Sequence, residues 1–446
     1  MANGWFPWKQ PNATLYRGRR TMNISSDEPA AWLHKAATAA RAASRQLAQE
    51  NDAVRSAALH DAAASIRRHE HAILQANAAD LATLDHESAN TTDAFRDRLS
   101  LDRARVAAMA DGLDAVADLP DPLGRVMADW TRPNGLRIRR IASAIGVVAI
   151  IYESRPNVGA DAAALCIKSG NAVLLRGGSE SFMSARAIHI AVSEGLEAAG
   201  LPPACVQMPP ATDRTYVAAM LQAAGAIDLI IPRGGRSLVE RVQRDSRVPV
   251  LAHAEGLNHT YLHEAADTEM AVRIVRDAKL RRTGVCGATE TLLVDAAAAV
   301  RLLPPVLAAL RARGCDFRAD AAARAIDPSL PPAGPSDFDT EWLDAVLSVA
   351  VVDGIDAAIA HIARHGSSHT DAIVTQDAEA AETFLSRVDS AVALWNASTQ
   401  FCDGAEFGFG AEIGIATGRI HARGPVGLEQ LTIYRYMVTG NGQIRG

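Results

Sequence analysis

Cysteine is scarce in this chain. Its 446 residues contain five, Cys166, Cys205, Cys286, Cys315 and Cys402, and no CxxC pair. An odd number of widely spaced cysteines argues against a disulfide framework or a zinc knuckle and fits a reducing cytoplasm. Long apolar runs are missing too. The longest nearly uncharged stretch, IASAIGVVAIIY at 141–152, falls short of the roughly 20 residues that span a bilayer and reads as a buried strand. There is no excess of either charge: 45 Lys and Arg against 51 Asp and Glu leave a net charge of −6. That balance offers no electrostatic reason to expect nucleic acid or an anionic membrane as partner. The opening MANGWFPWKQPNATLYRGRR lacks the apolar core of a signal peptide. It has no helical or strand period, so residues 1–25 read as a flexible extension and the Asn12-Ala13-Thr14 sequon as chance. A GxGxxG fingerprint is also missing, so on motif grounds alone a nucleotide is a weak inference.

A chain of this length exceeds one compact core, which sets two or more domains as the expectation. From about Ala30 an alanine-rich stretch places apolar residues at three- and four-residue intervals, the pattern of packing helices. Asn134-Gly135 then signals a hairpin, an arm suited to pairing with another subunit. Two strand-glycine-helix units follow. NAVLLRGGSES runs into Gly177-Gly178 and a helix starting at Ser179 or Ser181; AIDLIIPRGGRSLVERVQ runs into Gly234-Gly235 and a helix opened by Ser237. Units of this kind in series imply a parallel, doubly wound sheet. A second series, TETLLVD, LSVAVVD, DAIVTQD and AVALWNAS, follows Cys286. The fold expected is therefore α/β, with two doubly wound parallel-sheet domains.

The glycine pairs leave backbone N–H groups free to face an anion at a helix N-terminus, or they are plain turn chemistry. Arg176 and Ser179, at the end of their strand, would suit a ribose 2′-phosphate and favour NADP, whereas neighbouring Glu180 would suit a free 2′-hydroxyl. HAEGLNHTYLHEAAD offers His253, His259 and His263, but strand residues four apart stand about 13 Å from each other and cannot both bond zinc. No metal is expected. Cys166 and Cys205 read as small core residues. Cys286 does not: it lies between Gly284 and Gly287, in a loop joining an amphipathic helix to a buried strand, where local donors and Arg281 or Arg282 would favour thiolate.

ESRPNVGADAAALCIKSGNAVLLRGGSES, AKLRRTGVCGATETLLV, HTDAIVTQD, WNASTQFCDGAEFGFGAEIGIAT and HARGPVGLEQLTIYRY occur in that order. Together they resemble the gamma-glutamyl phosphate reductase family of the aldehyde dehydrogenase superfamily, from about Ala30 to the C-terminus. The resemblance implies a nucleotide-binding domain (26–128 and 145–254), a catalytic domain (255–424) and an oligomerisation hairpin with a C-terminal strand (129–144 and 425–446). It implies NADPH-dependent reduction of L-glutamyl 5-phosphate to the semialdehyde in proline biosynthesis. Cys286 would be the nucleophile and Asn157 the oxyanion donor. Gly177, Gly178, Gly234 and Gly235, with Arg176 and Ser179, would hold NADPH. Asn396, Ser398 and Thr399 end a strand and would present donors to the glutamyl group. Arg423 is either an anion partner or a surface salt bridge, and Lys279 reads as scaffold. Hydrolytic relatives carry a glutamate base in an E-L-G-G-K-type stretch; the corresponding AEGLNH places Glu255 outside that pattern, which supports the phosphate-dependent reaction over the alternative, a hydrolytic aldehyde dehydrogenase. The family implies a cytoplasmic homo-oligomer and leaves room for a transient contact with glutamate 5-kinase.

Overall fold

The computed structural model describes residues 28–87, 93–252 and 255–445; the extension expected over 1–25 lies outside them, as does His253. Helices Glu28–Leu47, Asp52–Arg68 and Glu70–Glu87 form from the alanine-rich stretch. The Asn51 side chain caps the second by accepting from the Val54 N–H.

A four-stranded parallel sheet follows in the order Val206–Gln207, Ala172–Arg176, Val147–Tyr152, Leu229–Arg233. Its central strands are buried on both faces, which is why VVAIIY and AVLLR are unbroken apolar runs with no alternation. Val148, Ile150 and Tyr152 join one core with helices Asp52–Arg68 and Phe182–Ala198. Val147, Ala149 and Ile151 join the opposite core with Glu28–Leu47. The chain leaves Val147–Tyr152 toward one side and returns on the other, so a topological switch point, the usual seat of ligands, opens at the carboxyl ends of these strands.

A second, six-stranded sheet is also wholly parallel, in the order Val392–Trp395, Thr370–Val374, Asn258–Leu262, Thr289–Asp295, Val346–Val352, Asp316–Ala319. Helices Thr268–Leu280 and Ala299–Arg311 cover one face, Gly354–His365 and Ala378–Arg387 the other. Two doubly wound sheets are therefore present, as the sequence implied. The short strands Val206–Gln207 and Asp316–Ala319 carry no pattern long enough to read.

The Asn134-Gly135 hairpin forms between Val126–Thr131 and Arg137–Ala144, with Gly135 at φ +84°. The C-terminal strand Thr432–Thr439 pairs antiparallel along Arg137–Ala144 and leaves its other edge open. One expectation needs correction. The helix after Gly234-Gly235 is not opened by Ser237; it spans Arg236–Asp245 with Gly235 at the cap, because the Glu153 carboxylate accepts the Gly235 N–H.

Candidate active site

Cys286 lies half-buried in the turn between helix Thr268–Leu280 and strand Thr289–Asp295. Three neighbours hold this turn. The Asn258 amide donates to the carbonyls of Cys286 (2.6 Å) and Ala288 (2.9 Å), bracketing the thiol. Gly256 packs on the Cys286 backbone so closely that a Cβ there would come within 2.7 Å of the Cys286 carbonyl carbon. The Gln400 amide reaches the carbonyls of Asp277, Ala278 and Arg282, tying the helix end to the turn. Beneath it, Lys279 and Glu290 form a buried ion pair. Burial raises the Glu290 carboxyl to about 7 against the pull of Lys279. Removing one member of such a pair costs about 3–5 kcal/mol, so Lys279 is scaffold.

Burial pushes the Cys286 thiol up to about 11; Arg233 opposes this, while Glu412 and Glu341 reinforce it. This corrects the expectation that Arg281 or Arg282 would favour thiolate. The cation that acts on the sulfur comes from a distant strand, Leu229–Arg233, and burial favours the neutral thiol over the thiolate.

Asn157 stands at the N-terminus of helix Val158–Lys168 and donates to Asp161 at 3.1 Å. Nδ2 carries two N–H bonds, of which Asp161 takes one. Burial lifts Asp161 to about 6, with Asn157 and Arg233 pulling it down. Arg233 therefore acts on both Cys286 and Asp161, the partner of Asn157. Arg233 and its neighbour Arg155 were missed by sequence reasoning, although both lie inside the quoted stretches IPRGG and SRPNV; what could have pointed to them is an arginine at the carboxyl end of a buried strand.

Thr399 sits against the same turn, and Ser398 precedes it in the chain. Thr399 is fully buried, bonds Thr289 Oγ1 at 2.9 Å, and presents its carbonyl to Gly287. Ser398 Oγ accepts the Gln400 N–H. Two expected substrate contacts are otherwise engaged. Asn396, at φ +55°, uses its carbonyl to accept from Thr375 N and its amide to donate to Thr375 O, clamping a loop. Arg423 donates to Asp389 and to the Thr417 carbonyl, so its guanidinium is engaged by a local anion.

A cavity of about 510 Å³ opens at the carboxyl ends of the first sheet. Arg176, Gly178, Ser179, Thr212, Arg214 and Arg241 are among its walls. Arg176 donates to the carbonyls of Gly177 and Thr212, so it braces the wall, while Arg214 stands exposed nearby. The Gly235 N–H, read as a phosphate seat, meets the Glu153 carboxylate here, and neither Gly234 nor Gly235 lines the cavity. His259 and His263 occupy strand and strand-end positions with partners Asp371 and Thr375. No group of three or more His, Cys, Asp or Glu side chains among the described residues could hold a metal, and no helix among them is long and apolar enough to cross a membrane.

Residues 18–315 match the aldehyde dehydrogenase family. A gamma-glutamyl phosphate reductase of Gluconobacter oxydans is 67% identical over 407 residues, 91% of this chain and 95% of its own. One from Acidiphilium cryptum is 64% identical over 424 residues, 95% of this chain and 100% of its own. The crystal structure of gamma-glutamyl phosphate reductase from Thermotoga maritima superposes with a TM-score of 0.90 at 38% identity, covering 93% of this chain and all of that one. The chain belongs to the gamma-glutamyl phosphate reductases of the aldehyde dehydrogenase family.

Proposed function

We propose that the chain reduces L-glutamyl 5-phosphate to L-glutamate 5-semialdehyde and phosphate, the second step of proline biosynthesis, through a thioester on Cys286. The observation that carries this is likeness at 67% identity across nearly the full length of a gamma-glutamyl phosphate reductase, in a chain whose half-buried thiol is braced from three sides.

Cys286 attacks the acyl carbon, and its own backbone N–H and the free N–H of Asn157 receive the charge that develops on the carbonyl oxygen. Losing one such donor costs on the order of 3 kcal/mol. The Asn258 and Gln400 clamps keep the sulfur in register, which matters because reacting atoms must be held within a few tenths of an ångström of contact. The nicotinamide cofactor belongs in the cavity at the switch point, whose size and polar wall fit a dinucleotide. When bound there, NADPH would supply the hydride that reduces the acyl group held on Cys286. Arg176, expected to meet a 2′-phosphate, is instead bonded to the wall's carbonyls, so Arg214 and Arg241, which line the same cavity with Ser179, are our candidates for that phosphate and for a preference for NADPH over NADH. Gly177, Gly178 and Ser179 form the close backbone approach. No water needs activating, and Glu255 is held by Arg236 at 2.7 Å, which disfavours the hydrolytic alternative.

We assign 255–424 as the catalytic unit, 26–128 and 145–254 as the cofactor unit, and 129–144 with 425–446 as the oligomerisation part of a cytoplasmic enzyme. The open edge of Thr432–Thr439, with Ile433, Tyr434, Tyr436 and Val438 exposed, is the kind of strand edge that pairs with a second copy. A labile acyl phosphate favours a transient contact with glutamate 5-kinase.

The test runs the reaction backward. Reduction of NADP by glutamate semialdehyde should require phosphate and vanish in Cys286→Ala. Equal rates without phosphate would establish the hydrolytic reaction instead.

A further inference from the structure

Two adjacent parallel strands deliver arginines to the same edge of the first sheet. Arg233 ends Leu229–Arg233 in register with Tyr152. Arg155 follows Tyr152 by three residues, the chain between them turned by Ser154 at φ +53°. Arg155 feels three like charges, Arg233, Arg98 and Arg282, and the Cys286 sulfur. The Arg233 guanidinium lies over Gly414, where an added Cβ would meet Nη1 at 3.4 Å, and its charge acts on Cys286 from there. Arg233 thus acts on both the thiol and Arg155, and Arg98 and Arg282 add like charge around Arg155.

Elsewhere in the fold arginines meet acids directly: Arg41 on Asp228, Arg67 on Asp111 and Asp114, Arg236 on Glu240 and Glu255. Arg155 and Arg233 are half-buried, and neither has a side-chain hydrogen bond or ion pair among the described residues. Asp161 and Glu412 feel Arg233 at longer range, and Glu341 acts on Cys286, so three carboxylates stand against four guanidinium groups. Like charges drawn together out of water without partners are costly unless an anion completes them. Guanidinium forks match the oxygens of a phosphate dianion bidentately.

We propose that Arg155 and Arg233 seat the phosphoryl group of the acyl-phosphate substrate beside Cys286, with Arg98 and Arg282 extending the positive rim. The assignment rests on the acyl-phosphate reading above and adds the residues that choose phosphate over water as the acyl partner. In the step they serve, the bond from Cys286 sulfur to the acyl carbon forms and the bond from that carbon to the phosphoryl oxygen breaks. Its electron pair leaves on phosphate, which also takes the thiol proton and departs as hydrogen phosphate between the two guanidinium groups.

The test uses the whole enzyme in the phosphate-dependent reverse assay. Arg233→Gln and Arg155→Gln should each raise the KM for inorganic phosphate about tenfold or more, with the semialdehyde KM changed less than about twofold; Arg233→Lys should fall between. An unchanged phosphate KM in both, or a rise in the semialdehyde KM instead, overturns the seat, the latter assigning the arginines to the α-carboxylate. The wild-type enzyme gives a second measurement that no folding defect can blur. Iodoacetate should alkylate Cys286 faster relative to neutral iodoacetamide than it does a free thiol, and inorganic phosphate should slow iodoacetate more. Equal protection against both reagents also overturns the proposal. Failure of the seat leaves Cys286→Ala inactive, whereas failure of the thioester reading leaves it active.

Discussion

Gly256→Ala should cripple the thiol without emptying the cofactor cavity. A Cβ at this position would sit 2.7 Å from the Cys286 carbonyl carbon and 2.8 Å from its Cα, and closer still to the carbonyl oxygen, whereas ordinary contact begins at 3.4 Å. All three are backbone atoms of one turn, so no side chain can swing away and the turn must move about 0.7 Å or more. The turn cannot move freely, because Asn258 holds the Cys286 and Ala288 carbonyls and Gln400 holds Arg282. Overpacking of this kind costs about 1–3 kcal/mol of stability, and a displacement approaching 1 Å at a reacting atom costs about a hundredfold in rate. The expected result is a fall in kcat/KM of roughly 30- to 100-fold with NADP affinity kept within about twofold. Gly284→Ala is the matched control: it lies in the same turn, but its Cβ would meet only the Leu343 carbonyl at 4.0 Å, so activity should stay near that of the parent. Reverse-assay kinetics and fluorescence titration of NADP on both variants make the comparison. Equal activities for the two would refute the claim that Gly256 sets the position of the sulfur.

Asp161 makes a prediction in pH. Its folded value, about 6, lies above the 3.8 of a free aspartate, so its protonated form is favoured by folding. Its contribution is therefore fully present below about pH 4 and lost as pH rises through about 6, a change of at most about 3 kcal/mol. Asp161→Asn should remove this slope, raising the unfolding midpoint at pH 8 more than at pH 4.5 by thermal denaturation; an equal shift at both would refute it. The arm makes another. Deleting residues 131–140, which carry the turn and much of the strand on which Thr432–Thr439 docks, should convert the particle to monomer by light scattering, and an unchanged mass would remove the arm from assembly.

Much of the architecture could be read directly because parallel strands covered on both faces have no option but continuous apolar sequence. VVAIIY, AVLLR and TETLLVD announce themselves in this way, and each is followed by the turn or helix that the fold needs. Gly135, whose φ of +84° suits glycine, marked the hairpin. Strands such as Val206–Gln207 are defined by their partner and not by their residues, so they left no trace. Residues of one short stretch also diverged in role. Asn396 and Thr399 are three apart, yet one clamps Thr375 and the other packs on the thiol turn.

Local pattern alone determined the two sheets, the exposed hairpin and the presence of an unusual cysteine in a glycine-flanked turn, since periodicity and turn chemistry act between near neighbours. What surrounds that cysteine was decided only in three dimensions. Arg233, Asn258, Glu341, Gln400 and Glu412 arrive from widely separated segments, and whether a polar group is free or already paired depends on which of them it meets. Charge and burial act through space, so the upward shift of the Cys286 thiol, the pairing of Arg423 with Asp389 and the arginines whose charge acts on that thiol had no counterpart in the order of residues.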